Sequence, residues 1–201
     1  MTVSMAAEAD SQLMLRVKAG DEPSFALLLH RFRVPVYQFL NRMVGSPAVA
    51  EELAQEVFLR VYRARATYEP SAKFTTWLYR ISTHLALNHL RDSRREREDL
   101  RLDDTPEGGR PLQVASRDIT IEERLLANDR VERIRRAVEE LPEKQRVAVL
   151  LHKYQELDYR QIAELLDTSE SAVKSLLFRA YESLRVKLAD LATVNATKAA
   201  G

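Results

Sequence analysis

The sequence contains no cysteine and few of the residues that interrupt helices. Of its 201 residues, five are glycine and seven are proline, whereas alanine, leucine, arginine and glutamate are abundant. The lack of cysteine excludes disulfides and thiolate chemistry and fits a reducing cytoplasm. The scarcity of helix breakers predicts an all-α chain.

Long apolar runs and catalytic signatures are also missing. No apolar run approaches the roughly 20 residues of a membrane-spanning helix, and MTVSMAAEADSQ at the start lacks the layout of a signal peptide. We therefore expect a cytoplasmic protein. The four histidines show no metal-ligand spacing, and neither a glycine-rich phosphate loop nor a nucleophile elbow occurs. We predict no catalytic residues, no metal site and no cofactor.

Hydrophobic periodicity predicts two groups of helices, separated by a charged stretch that contains Gly108-Gly109. In the first group, Gly20-Asp21 separates two helices, and Pro35 is expected to kink or interrupt the second of them. The periodic pattern fails from Asp92 and resumes at Ile121. We predict a four-helix N-terminal domain over residues 10–95, a flexible linker over 96–120 and a C-terminal helix-turn-helix domain over 121–190.

Basic charge is concentrated at the end of the first group. Residues 60–97 contain nine Lys or Arg against three carboxylates, although the whole chain has a net charge of only +1. On a helical wheel of residues 74–95, apolar residues occupy two flanks, and the polar strip between them has no carboxylate. Such a strip suits contact with a polyanion, because a merely solvated face more often mixes charges. Its members are Arg80, His84, Asn88, Arg91 and Arg95.

A short loop, TYEPSAK, precedes this helix at residues 67–73. It places the aromatic Tyr68 and the cation Lys73 beside the basic strip, a combination that can hold an unstacked base. Tyr68 is equally compatible with a lid on the domain core. Trp77, at the head of the strip, has two interpretations, of which a packing residue at the helix start is favoured over a stacking platform.

The sharpest motif is LDYRQIAELLDTSESAVKSLLFRAYESLR, residues 157–185. Asp158 and Gln161 have the spacing of a capping box, and Asp167-Thr168-Ser169 supplies a turn and a new N-cap. Two helices joined in this way are typical of a helix-turn-helix. A hairpin with a solvated face is the alternative that spacing alone leaves open. The outward side of the second helix can reach phosphates and base edges in a major groove through Ser171, Lys174, Ser175, Phe178 and Arg179.

Together these motifs resemble bacterial RNA polymerase sigma factors of the extracytoplasmic-function (ECF) group, in the sigma-70 family. ELDYRQIAELLDTSESAVKSLLFRA is similar to the family's region-four helix-turn-helix. AEELAQEVFLRVYRA followed by FTTWLYRISTHLALNHLR is similar to its region two. The resemblance implies a transcription initiation factor that needs no catalytic residues. Its implied partners are core RNA polymerase, promoter DNA and an anti-sigma factor, although no residue shows the last of these.

The resemblance also implies a role for each surface. Region four would read the minus-thirty-five element as duplex through the outward residues of the second helix. Region two would capture the minus-ten element through the polar strip together with Tyr68 and Lys73. The acidic helix before the loop would dock on the polymerase clamp, and the residues implied are Glu51, Glu52, Leu53, Gln55, Glu56 and Phe58. The alternative for these carboxylates is a favourable interaction with the helix dipole alone.

Three positions depart from the family pattern. Asp167 occupies a turn position where glycine is common, Leu176 stands where an arginine often follows Val-Lys-Ser, and His84 stands where asparagine is frequent. The base preference of both DNA-facing surfaces is therefore open. A stand-alone helix-turn-helix repressor or activator is the second hypothesis, and it differs because such a protein would bind duplex DNA unaided.

Overall fold

The computed structural model describes residues 2–100, 121–189 and 191, which form eight α-helices and one 3-10 turn. The N-terminal domain contains α1 (Thr2–Lys18), α2 (Glu22–Val44), α3 (Pro47–Arg63), the 3-10 turn (Ala64–Thr67) and α4 (Phe74–Leu100). The C-terminal domain contains α5 (Ile121–Glu139), α6 (Glu143–Tyr154), α7 (Tyr159–Leu165) and α8 (Glu170–Lys187). The predicted all-α architecture is confirmed. Within these ranges, no helix is long and apolar enough to cross a membrane, and no acidic or histidine cluster could hold a metal ion.

In the N-terminal domain, α1, α3 and α4 all pack against α2. The reason is a stripe of apolar residues at three- and four-residue spacing along α2, which includes the buried Leu28, Phe32, Val36 and Phe39. The ring of Phe39 meets that of Tyr79 in α4 edge to face, with centroids 5.3 Å apart. Such a pair stabilises the contact by about 1 kcal/mol beyond its buried area. This packing fixes the rotation of α4 about its own axis.

Two boundaries differ from the sequence predictions, since Pro35 does not interrupt α2 and α4 runs past residue 95. α2 continues through Pro35 as one helix of 23 residues. Burial of Phe32 and Val36 on either side of the proline offsets the lost backbone hydrogen bond. α4 continues to Leu100, past the point where the apolar pattern fails, because its end is rich in the strong helix formers Arg and Glu. The rest of the predicted linker, residues 101–120, lies outside the described part of the chain.

The two domains meet along a seam where α4 packs against α7, and α2 packs against α5 and α6. Arg146 of α6 lies in this seam. Its Nη1 donates to the carbonyl of Met43 at 2.6 Å, and its Nη2 donates to the carbonyls of Glu139 and Leu141. Met43 and Glu139 belong to the last turns of α2 and α5, whose carbonyls have no partner within their own helices. One guanidinium therefore bonds helix ends from both domains.

Replacing Arg146 by leucine should lower the stability of the whole chain. The change leaves several partly buried carbonyls without a donor, so we expect a loss of about 2–4 kcal/mol in the free energy of unfolding. Differential scanning calorimetry should then show a midpoint lower by about 5–10 °C. Arg136→Leu is the matched control, since it removes an exposed ion pair with Glu132 that is worth less than about 1 kcal/mol. Equal midpoints for the two variants would contradict the role of Arg146.

Candidate nucleic-acid interface

The polar strip of α4 lies on the surface of the N-terminal domain. All five of its predicted members are exposed, namely Arg80, His84, Asn88, Arg91 and Arg95. The flanks on both sides are buried, as the helical wheel predicts, through Leu78, Tyr79, Leu85 and Ala86. α4 is therefore at once a part of the core and an exposed contact surface.

Hydrogen bonding orders the middle of the strip. Arg91 Nη2 donates to Asn88 Oδ1 at 3.1 Å, so the amide nitrogen of Asn88 remains available as a donor. Arg91 Nε also lies 3.7 Å from Asp92 Oδ1 beside the strip, but both side chains are more than half exposed. An exposed pair of this kind stabilises little and is easily exchanged for another anion. The strip can therefore follow phosphates with its cations and bond a base edge with an oriented amide.

Tyr68 is a core residue, with only 2% of its surface exposed. Its ring packs edge to face against Trp77 at 5.0 Å and Phe74 at 6.3 Å, and burial raises the pKa of its hydroxyl. The structure thus places Tyr68 where the lid alternative predicts, and not on the surface where a base could stack on it. Lys73, at the end of the same loop, is exposed.

A small cavity lies where the loop meets the first turns of α4. The loop and α4 contribute Glu69, Ser71, Ala72, Thr76, Trp77 and Arg80, and we call these six residues the corner. α7 covers the corner from the C-terminal domain with Glu164 and Leu165. Arg80 Nη2 donates to the carbonyl of Glu164 at 3.0 Å, and Gln161 Nε2 donates to Thr76 Oγ1 at 3.4 Å. In this conformation the head of the strip is therefore shared between the two domains.

α7 and α8 form the predicted helix-turn-helix. The capping box is present, since the backbone N–H of Gln161 donates to Asp158 Oδ1 at 2.8 Å and the reciprocal bond measures 3.0 Å. Asp167 has a φ of 49°, a left-handed conformation that aspartate tolerates better than most residues. Ser169 caps α8 by accepting a bond from the backbone N–H of Ala172 at 3.2 Å. The turn therefore keeps its geometry without a glycine.

The outward face of α8 is exposed at each predicted position, which are Ser171, Lys174, Ser175, Phe178 and Arg179. Phe178 is 69% exposed although it is apolar, and it shares a shallow depression with Lys174, Ser175 and Arg179. Arg179 Nε donates to the carbonyl of Ser175 at 3.2 Å, which holds the guanidinium along the helix. Leu176 packs partly buried against the core, so it adds no charge to this face.

A large apolar groove of about 880 Å³ runs between α2 and α3. Its floor and walls include Phe25, Leu29, Val34, Phe58, Leu59 and Tyr62. Val34 and Leu59 are about half exposed, and an exposed apolar surface of this extent usually marks a contact with another protein. We call it the α2–α3 groove.

The six predicted docking residues of α3 divide into two sets. Glu51, Gln55 and Phe58 line the α2–α3 groove, whereas Glu52, Leu53 and Glu56 lie outside its lining. Leu53 packs partly buried against the core. A hydrogen bond of 2.7 Å from Arg60 holds the pKa of Glu56 below its usual value. The wall that α2 contributes was not predicted from the sequence. A signal was available, because Leu29 and Val34 are apolar residues of α2 beyond those needed for its buried stripe.

Comparison with protein families matches both domains. The family described as Sigma-70 region 2 matches residues 28–96, and the family described as Sigma-70, region 4 matches residues 131–184. The RNA polymerase sigma-H factor of Pseudomonas aeruginosa is 34% identical over 182 residues, which cover 88% of this chain and 92% of the relative. The ECF RNA polymerase sigma factor SigW of Bacillus subtilis is 32% identical over 180 residues, which cover 88% and 95% of the two chains.

Two solved structures share the fold across both domains. CnrH, in complex with the cytosolic domain of CnrY, has a TM-score of 0.66 at 19% identity and covers 90% of this chain and 98% of its own. The sigma factor RpoE of Bartonella quintana, in complex with the anti-sigma factor NepR, has a TM-score of 0.65 at 20% identity, with 82% and 96% covered. On the evidence of the two matched regions and of relatives above 30% identity along nearly their whole length, the chain belongs to the ECF group of the sigma-70 family of RNA polymerase sigma factors.

Proposed function

We propose that the chain brings core RNA polymerase to specific promoters through three separate surfaces. The α2–α3 groove docks the polymerase, the polar strip of α4 with Lys73 and the corner captures the minus-ten element, and the outward face of α8 reads the minus-thirty-five element. The observation that carries this proposal is that the described residues present an apolar groove between α2 and α3 and cationic surfaces on α4 and α8, so the three surfaces lie on separate elements. An anti-sigma factor is proposed as a regulatory partner, since the similar RpoE is bound to one.

The shape and chemistry of the α2–α3 groove support a polymerase helix as its occupant. Its walls are mainly apolar and aromatic, and the charged residues in its lining are Glu22, Arg33 and Glu51, so carboxylates outnumber the cation. A carboxylate beside apolar surface repels DNA phosphates, whereas the apolar face of a partner helix fits such a groove. This surface therefore serves protein contact, although it belongs to the same domain as the basic strip.

The strip of α4 supports capture of single-stranded DNA. Arg80, Arg91 and Arg95 follow one face of the helix and can track successive phosphates. Asn88 and His84 lie between them and can bond base edges that become accessible only when the duplex opens. A cationic track that ends in a small cavity is the arrangement by which proteins hold a strand and receive an unstacked base. Entry of a base into the corner requires that α7, which covers it with Glu164 and Leu165, first moves away.

The outward face of α8 supports reading of duplex DNA. Lys174 and Arg179 can contact phosphates, and the hydroxyls of Ser171 and Ser175 can reach phosphates or base edges. Phe178 has no core to join on this face, but it can contact the methyl group of a thymine in the major groove. The capped start of α8 keeps these residues in a fixed register.

Transcription in vitro tests the proposed function directly. Purified chain is added to core RNA polymerase on fragmented genomic DNA, and the starts of the transcripts are sequenced. We expect a set of starts that core polymerase alone does not produce, preceded by two shared sequence elements. No new starts would contradict the proposal. Tight duplex binding by the chain alone, without initiation, would favour the stand-alone helix-turn-helix regulator instead.

Asn88→Ala should change which base the holoenzyme accepts at one position of the minus-ten strand. Loss of an oriented amide typically costs about 1–3 kcal/mol of discrimination, which is roughly fivefold to 150-fold, whereas the arginines still supply the general affinity. The measurement is the affinity of the holoenzyme for single-stranded oligonucleotides that differ at that base. Asn41→Ala, which changes an amide on α2, is the control. A uniform loss for all bases would contradict a reading role for Asn88.

A further inference from the structure

α1 lies against the loop that forms the corner. It precedes the matched region-two segment, which begins at residue 28, and it packs on α2, on α4 and on the 3-10 turn. Met14 and Val17 are buried within that packing. α1 is thus held firmly in the core, and its last residue, Lys18, stands beside the start of the loop.

Lys18 bonds the backbone of the loop. Its Nζ donates to the carbonyl of Tyr68 at 2.9 Å, across 50 positions of sequence. Tyr68 is the C-cap residue that directly follows the 3-10 turn, so its carbonyl has no partner within the turn. In the described part of the chain, no side chain of another helix makes a second hydrogen bond to the backbone of residues 67–73. Among the described residues, Lys18 is therefore the one side chain of another element that hydrogen-bonds this backbone.

An ion pair between α1 and α2, buried only at its carboxylate, helps to set the position of α1 along its axis. Asp10 is 5% exposed and pairs with Arg31 of α2. Burial raises the pKa of Asp10, and Arg31 opposes that shift. Lys18 follows about two helical turns later, roughly 12 Å along the axis. The anchored pair thus fixes how far the Lys18 ammonium reaches toward the loop.

Tyr68 links the hydrogen bond from Lys18 to the corner. Its ring packs against Trp77 with centroids 5.0 Å apart, and Trp77 lines the corner beside Arg80. Because the core is close-packed, a displaced Tyr68 backbone moves either Trp77 or the following loop residues. Within the loop, the backbone N–H of Ser71 donates to the carbonyl of Glu69 at 2.9 Å. Because this bond joins two residues of the loop itself, it does not fix the loop relative to the helices. The position of the loop therefore depends on how its two ends are held.

We propose that Lys18 is a positioning residue, which holds the corner in the shape that receives an unstacked base. The inference rests on the proposed minus-ten function of the strip and the corner. Lys18 acts through the Tyr68 carbonyl and not through DNA, so its removal changes base preference without removing a phosphate contact. Since its side chain is exposed, that removal also leaves the stability of the domain nearly unchanged.

The test uses the full chain assembled with core polymerase. Wild type, Lys18→Met and Lys18→Arg are each incubated with a pool of single-stranded oligonucleotides that carry a randomised window, and the bound strands are sequenced. For Lys18→Met we expect base preference to fall by about fivefold at one or two adjacent positions, as loss of one hydrogen bond to a positioned loop predicts. The salt dependence and the unfolding midpoint should stay at their wild-type values. Lys18→Arg keeps a charged donor and should restore the preference.

Lys153→Met is the matched control, because it removes an exposed lysine of α6 and should leave the preference profile unchanged. Equal profiles for wild type and Lys18→Met would overturn the inference. A shallower salt dependence of Lys18→Met would also overturn it, since it would identify Lys18 as a direct phosphate contact. A wild-type holoenzyme with no base preference on single strands would contradict the proposed minus-ten function itself, and the role of Lys18 with it.

Discussion

Replacing Leu59 by arginine should abolish association with core RNA polymerase while the chain stays folded. Leu59 lines the α2–α3 groove and is 50% exposed, so the fold does not depend on its burial. Docking of an apolar helix would bury the new guanidinium without a partner, at a cost of several kcal/mol. An affinity lower by about a hundredfold or more follows from that cost. Biolayer interferometry with immobilised core polymerase measures the affinity of each variant.

Leu27→Arg is the matched control for this prediction. Leu27 is 57% exposed on α2 and lies outside the lining of the groove, so the same charge is added at a similar exposure. We expect this variant to bind core polymerase as the wild type does. Equal loss in both variants would point to a general effect of charge, and normal binding by Leu59→Arg would remove the groove as the docking surface.

Of the two walls of the α2–α3 groove, the α3 wall was identified from the sequence and the α2 wall was not. The acidic start of α3 is visible in the sequence, and three of the six residues predicted there, Glu51, Gln55 and Phe58, line the groove. The opposite wall belongs to α2, where apolar residues occur on more than one side. Which of those sides is buried depends on the helices that pack against α2, and periodicity alone does not supply that information.

Local motifs were predictable to the level of single hydrogen bonds. The capping box of Asp158 and Gln161 and the cap at Ser169 are confirmed, and Asp167 adopts a left-handed conformation at the turn position where glycine is common. Each depends on residues within four positions of one another, so the sequence contains all the groups that form the bond. The exposed strip of α4 was readable for a similar reason, because helical geometry alone assigns its residues to one face.

Contacts between distant parts of the chain were not predictable in this way. Arg146 bonds a carbonyl 103 positions away, and nothing in the sequence near either residue indicates the pairing. Tyr68 had two local interpretations, and only the packing of Phe74 and Trp77 around its ring distinguishes them. The end of α4 was misjudged because helix propensity continues the helix beyond the last periodic apolar residues.

The double substitution Lys174→Ala with Arg179→Ala should weaken binding of the holoenzyme to the upstream duplex element by roughly tenfold to a hundredfold at moderate salt. Both cations lie on the exposed face of α8, and each phosphate contact contributes about 0.9 to the slope of log affinity against log salt concentration. The slope should therefore become shallower by about 1.8 when both contacts are lost. Titration of a labelled duplex at several salt concentrations gives both quantities.

Two single variants of α8 separate charge from base reading in the same titration. Arg185→Ala removes a cation that is 73% exposed and pairs with Glu182 at 2.9 Å, so the net charge changes while the DNA-facing side keeps both cations. Its slope should match the wild type. Phe178→Ala should keep the wild-type slope but lose preference for a thymine, because it removes an apolar contact and no charge. A double variant whose slope equals that of Arg185→Ala would show that α8 does not face the phosphates of the upstream element.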